Sequence, residues 1–146
     1  MKQICRAASA FTLLCAQANA ADGPIGFVKV ARGDCFVRHD DLVIPAHPGV
    51  PVFVRDVMQT GGNGALGVTF RDNTRVALGP RSRVIVPVFR FAPAERQYGF
   101  VLRLLVGTME YISGLTAKLA PDSMSIETPS ATIGVRGTRF VVRAGE

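Results

Sequence analysis

The stretch Ala65-Leu66-Gly67-Val68-Thr69-Phe70-Arg71-Asp72-Asn73-Thr74-Arg75-Val76-Ala77-Leu78 decides the fold. Leu66, Val68 and Phe70 fall at every second position, with Ala65, Gly67, Thr69 and Arg71 between them. Side chains alternate across a strand with a period of two, so one face of this run is apolar. Asp72-Asn73 then turns the chain, because short polar side chains support turns and asparagine tolerates positive φ. Val76 and Leu78 resume the inward face while Arg75 points out. Beyond residues 1–20 no sustained stripe repeats at the helical period, so strands are expected throughout.

Working outward, the same pattern recurs. Gly79-Pro80 turns the chain again, and Val84, Val86 and Val88 read as one inward face with Arg83 opposite. Upstream, Thr60-Gly61-Gly62-Asn63-Gly64 is a corner rich in residues that tolerate positive φ. Corners near Asn63, Asn73 and Ser82 recur roughly every ten residues, the spacing of strands stacked in a small all-β unit. Earlier strands are expected at Ile25 to Val30, Cys35 to Arg38, Leu42 to Ile44 and Val50 to Val54. Downstream, Ala92 to Tyr98 is a polar excursion. Phe100, Leu102, Leu104 and Val106 alternate again, Gly107 marks a bend, and Met109 to Ile112 returns. Ser113 to Asp122 is an irregular connection. The fold class is all-β: a single small domain of short stacked strands, either β-solenoid-like or a meander or sandwich.

Near the other end lies Thr128-Pro129-Ser130-Ala131-Thr132-Ile133-Gly134-Val135-Arg136-Gly137-Thr138-Arg139-Phe140. It reads as two short strands joined by a tight Arg-Gly-Thr turn, with Pro129 at a strand start. Ile133 and Val135 share one face, and Phe140 and Val142 resume it.

The beginning of the chain has a different character. Lys2 and Arg6 precede the mostly apolar Ala7 to Ala16, and Ala18-Asn19-Ala20 is a small-x-small site before Ala21. That is the pattern of a cleavable secretory signal over residues 1–20, too short for a membrane anchor. A lipoprotein signal at Cys15 fits less well, because Leu14 stands where a small residue is wanted. Residues 21–146 form the expected domain, periplasmic or secreted. Cys5 and Cys15 leave with the signal, so Cys35 has no partner for an intrachain disulfide and reads as a small buried hydrophobe. Loss of Lys2 and Arg6 lowers the formal charge from +6 to +4. In an exported protein such charge is either scattered and solvated or meets a partner's carboxylates, an acidic glycan or lipid phosphates rather than nucleic acid.

Several pieces, in order, resemble the FecR domain family. Gly26-Phe27-Val28-Lys29-Val30 through Gly33 is similar to its opening strand and turn. Asp56-Val57-Met58-Gln59-Thr60-Gly61-Gly62-Asn63-Gly64 is similar to its D-x-x-x-T-G-x-n-G corner. Val68 through Thr74 resembles the following f-x-D-G-S corner, with Asn73 in the glycine position. Leu78-Gly79-Pro80-Arg81-Ser82 resembles l-G-p-x-S, and Leu105-Val106-Gly107 a later turn. Thr128 through Phe140 is the nearest match. The best-known members of the family are membrane-spanning regulators with a cytoplasmic anti-sigma segment and a periplasmic sensing part that contacts an outer-membrane receptor. This chain instead reads as an exported form, with the pattern of a cleavable signal and no expected transmembrane or cytoplasmic segment. The resemblance therefore implies a solitary exported binding or sensing module.

Candidate site residues follow from charge and placement. Arg136 is the charge inside the closing motif. Its guanidinium either forks onto backbone carbonyls and locks the turn or meets a partner carboxylate. Thr138 is placed to bond its neighbouring backbone. Arg71, Arg75, Arg83 and Arg103 share an outer face if the strands stack in register; that face either binds a partner or keeps edges soluble. His39, His47, Asp40 and Asp41 lack a metal-ligand spacing, and no nucleophile elbow or paired catalytic carboxylates appear. The expectation is a non-enzymatic module without cofactor or metal that binds an envelope protein or an acidic cell-wall component. The alternative is a structural β-domain that self-associates or adds its edge to a larger envelope protein.

Overall fold

A computed structural model describes residues 23–145. The signal-peptide reading, with Cys5 and Cys15, lies outside the described residues. The middle stretch behaves as its alternation demands. β6 (Ala65–Phe70) and β7 (Arg75–Leu78) form an antiparallel hairpin, and Leu66, Val68, Phe70, Val76 and Leu78 are all buried. Asn73 sits at φ 66°, the left-handed conformation that asparagine accepts and most residues do not.

Before this hairpin come β1 (Gly26–Arg32), β2 (Cys35–His39), β3 (Leu42–Pro45), β4 (Pro51–Val52) and β5 (Val57–Thr60). After it come β8 (Arg83–Ala92), β9 (Gln97–Ile112), a five-residue helix α1 (Leu115–Leu119), β10 (Met124–Glu127), β11 (Thr132–Gly134) and β12 (Arg139–Ala144). The strands join in the order β3-β2-β5-β8-β9-β7-β6-β1-β4, with β10 and β12 both added to β9 and β11 to β10. Every pairing is antiparallel except β10 with β9. Solenoid rungs stack in parallel, so of the two all-β architectures left open by the sequence this is the curled antiparallel sheet.

One strand makes the curl. β9 runs for 16 residues. Its first half pairs with β8 and β10, and its second half with β7 and β12. Between the halves Gly107 takes φ 99°, and a Cβ there would stand 2.3 Å from Ser82 Oγ. Only glycine avoids both the strain and the clash. Inward positions shift phase across this bend, from Phe100, Leu102 and Leu104 to Met109 and Tyr111, all fully buried. The two half-sheets thus close on one core, in which the Phe100 ring lies 4.9 Å from Phe70 and 4.8 Å from Phe89.

Several sequence expectations need correction. Val88 is not inward but 46% exposed, because the β8–β9 register slips between Ile85 and Val88. An extra residue in one strand turns every following side chain to the other face, so Phe89 packs inward instead. Val50 to Val54 is a strand only at Pro51–Val52, because the Asp56 carboxylate accepts the Phe53 N–H (2.8 Å) and turns the chain. The Thr60–Gly64 corner uses no positive φ. Gly64 serves close approach instead: a Cβ there would lie 2.5 Å from the Asp34 carbonyl. The closing motif also differs. β11 pairs back onto β10 through a Thr128–Ala131 turn that contains Pro129, and β12 pairs with β9. The Arg-Gly-Thr segment is therefore a crossover between strands that do not pair with each other.

Candidate functional site

The short polar residues of the corners are spent on structure. Thr60 Oγ1 donates to the Gly79 carbonyl (2.6 Å) and accepts from Ser82 N (2.9 Å). Ser82 Oγ accepts from Thr108 N (2.9 Å), which pins β8 to the bend of β9. Asp72 accepts from Thr74 N (3.0 Å), Thr74 Oγ1 (2.8 Å) and Thr116 N (3.3 Å). Thr60, Asp72, Thr74, Ser82 and Thr116 are buried, so a polar group of theirs left unpaired would cost about 1–3 kcal/mol. The Tyr111 hydroxyl is buried, and burial pushes its pKa up to about 12. Cys35 is buried as expected, with Sγ near the carbonyls of Arg32 (3.2 Å) and Ala65 (3.3 Å).

His39 and Asp56 form a half-buried pair. His39 Nδ1 donates to Asp56 Oδ1 at 2.5 Å, and its ring lies 5.1 Å from that of Phe53. The hydrogen bond and charge of Asp56 raise the His39 pKa, with desolvation opposing and Asp40 adding a little. The pair joins the end of β2 to the start of β5. Among the described residues no three His, Cys, Asp or Glu cluster as a metal site would require.

The arginines singled out by sequence do not converge. Arg71 lines a cavity of about 740 Å³ with Arg90, Val88 and Phe89. Arg75 lines a shallow groove of about 400 Å³ with Lys29, Gly67, Ala77 and Ile112. Arg83 borders a third depression beside Arg81 and Gln59. Arg103 is paired to Glu127 on β10, Nε to Oε2 at 2.7 Å. Arg136 is exposed and locks nothing: it makes no hydrogen bond or ion pair with another described residue. Thr138 acts through its backbone, its carbonyl accepting from Ser113 N (2.9 Å).

What the fold does assemble is a different face. Directly paired residues in an antiparallel sheet share one side. Val30, Gly67, Ala77, Glu110 and Val141 therefore form one row across β1, β6, β7, β9 and β12. Phe27, Thr69, Arg75, Ile112 and Arg139 form the next row. The rows carry exposed apolar side chains at Phe27, Val30 and Val141, and the groove runs between them where Gly67 and Ala77 are small. Arg139 donates to Glu110. Arg143 projects from the same side of β12 with no ion pair among the described residues. Arg75 thus shares a face with Arg139 and Arg143, across β9 from them.

Sequence reasoning missed Arg139, Val141 and Arg143. Their signal was present in the alternation Arg139-Phe140-Val141-Val142-Arg143, which places an arginine on each side of a valine on the face opposite Phe140 and Val142.

Among the described residues no helix is long and apolar enough to cross a membrane. Comparison with curated proteins and with solved structures finds no significant match to either. The family model described as FecR protein matches residues 56–146, more than half of the 146-residue chain. The match takes in the Asp56–Gly64 corner, the Asp72 turn, Ser82, Gly107 and the closing crossover; the similar-looking strand at Gly26–Gly33 lies outside it. The buried polar staples and the bend that closes the sheet thus coincide with the matched region, and the chain belongs to the FecR protein family.

Proposed function

We propose that this protein is a non-enzymatic, exported FecR-like module of the cell envelope that binds a protein partner in signalling. Family membership carries the reading, because FecR proteins are associated with signalling at the envelope. Two further observations support it. The N-terminal pattern of Lys2, Arg6, an apolar stretch and Ala18-Asn19-Ala20 is that of a cleavable signal. The face built by β1, β6, β7, β9 and β12 is basic and partly apolar, the composition that suits a protein partner bearing carboxylates.

Two measurements test it. Cell fractionation with N-terminal sequencing is expected to find the protein outside the cytoplasm, beginning at Ala21. A cytoplasmic chain that retains Met1 would end the reading. Photo-crosslinking from Val141 and Ile112 in intact cells is expected to trap one specific envelope protein, against Leu119 as a control position. No specific adduct from either position would remove the binding role.

A further inference from the structure

Among the described residues β12 pairs on one side only, and the chemistry of its open side is legible. Ser113 N donates to the Thr138 carbonyl, which fixes the hydrogen-bonding phase of the β9–β12 ladder. In an antiparallel pair the bonding residues alternate, so Phe140, Val142 and Ala144 bond to β9. The N–H and C=O groups of Arg139, Val141 and Arg143 then point away from β9 into solvent. The side chains of these same three residues are exposed, with Val141 64% exposed, the most open large apolar side chain described. The edge therefore offers a backbone ladder together with a cation, an apolar side chain and a second cation in register.

We propose that this edge takes up an extended strand of a partner protein whose sequence runs acid, apolar, apolar, apolar, acid. This rests on the binding-module reading and names its surface. The two acids face Arg143 and Arg139, and the middle apolar residue faces Val141. The other two apolar residues fall on the inner side, beside Phe140 and Val142, and extend the core. Arg143 lacks an ion pair among the described residues, and Arg139 shares its charge with Glu110, so the acid opposite Arg143 gains more. A second copy fits poorly. Twofold pairing centred on Val141 sets Arg139 against Arg143 twice, and like charges directly opposite repel. An acidic glycan also fits poorly, since it has no amide ladder to match three alternate backbone positions.

The test uses the purified protein and two synthetic peptides. One has the core Glu-Val-Val-Val-Glu with polar flanks, and the other carries lysine at both glutamate positions. The acidic peptide is expected to bind about tenfold more tightly, with the difference shrinking in high salt. Amide exchange is expected to slow at Arg139, Val141 and Arg143 and not at Phe140 or Val142, which already bond to β9. Val141→Pro removes an outward donor without breaking the ladder to β9, so it abolishes binding while leaving the melting temperature nearly unchanged. Should that variant fail to fold, Arg143→Glu serves instead and is expected to reverse the peptide preference. Equal affinity for both peptides, protection at other amides, binding unchanged by Val141→Pro or Arg143→Glu, or a symmetric dimer through β12 in sedimentation would each overturn the proposal. An envelope partner trapped in cells but indifferent to Val141→Pro would sink the edge assignment alone. Peptide binding without any trapped partner would leave the edge chemistry standing and remove the envelope reading.

Discussion

Among the described residues β3 and β12 are both open on one side, and the chain treats them in opposite ways. β3 has 4 residues, Leu42-Val43-Ile44-Pro45, and β12 has 6, Arg139 to Ala144. Ala46 N donates to the Cys35 carbonyl, which sets the β2–β3 phase so that Val43 and Pro45 point their backbones outward. Proline has no N–H, so the outward side of β3 keeps a single good donor within the strand, next to the acidic corner Asp40-Asp41. β12 offers Arg139, Val141 and Arg143 with all their donors and relies on two guanidiniums for protection. The proline-ended edge offers any strand little to bond to. The arginine edge refuses neutral and basic strands and admits one that brings carboxylates. Charge protects against wrong partners while leaving the right one a way in, which proline cannot do.

The largest test of this contrast acts on what holds β12 in place. Gly107→Ala puts a Cβ into Ser82 at positive φ, where β9 bends and meets Ala144. A loss of about 3 kcal/mol is expected in denaturant unfolding, with early loss of protection in β12. An unchanged midpoint would show that the bend tolerates a side chain and does not seat the edge.

Removing the guard on β12 is the next largest effect. The double variant Arg139→Ala with Arg143→Ala is expected to tighten self-association about tenfold by analytical ultracentrifugation. If it stays as monodisperse as the parent, charge is not what protects this edge. The matching change on the other side is Pro45→Val, which restores an outward donor on β3. Its effect is expected to be smaller, about threefold, because the strand is short and Asp40 and Asp41 remain beside it.

The smallest effect is the pH dependence of the β3 side. Asp56 raises the folded-state pKa of His39, so the pair contributes stability in full below the ordinary histidine value of about 6.5. That contribution is lost as pH rises through the raised folded value. Amides of β2 and β3 should therefore exchange faster above that value than below it, beyond the intrinsic dependence of exchange on pH, while those of β12 show no such excess. His39→Gln should abolish the excess; an equal excess at both edges in the parent would remove the pair as its cause.

Much of the fold was legible in the sequence because strand burial has a period of two. The alternation from Leu66 to Leu78 located the central hairpin, and Asn73 marked its turn. Where alternation broke, the reason lay in pairing. Val88 has the sequence of an inward residue, and only the register slip against β9 turns it out. The glycines at residues 61–64 carry the signature of a turn, yet the Asp34 carbonyl of a distant segment is what requires Gly64. The candidate surface was less legible. Arg75 was chosen for its outward position, but Arg139 and Arg143, which share its face across β9, come from a strand more than sixty residues away in sequence.

By itself the sequence determined the all-β class, the corner positions and, through its ordered motifs, the family. These depend on local chemistry: the two-residue period, the turn residues and the short polar side chains that staple corners. The tertiary structure decided that β9 would serve both half-sheets, that the Arg-Gly-Thr segment would cross over instead of closing a hairpin, and that β12 rather than β11 would add to the second half of β9. Those choices depend on register and on close approach between distant segments. A pattern of period two states which face a residue takes, and it carries no information about which strand will lie beside it.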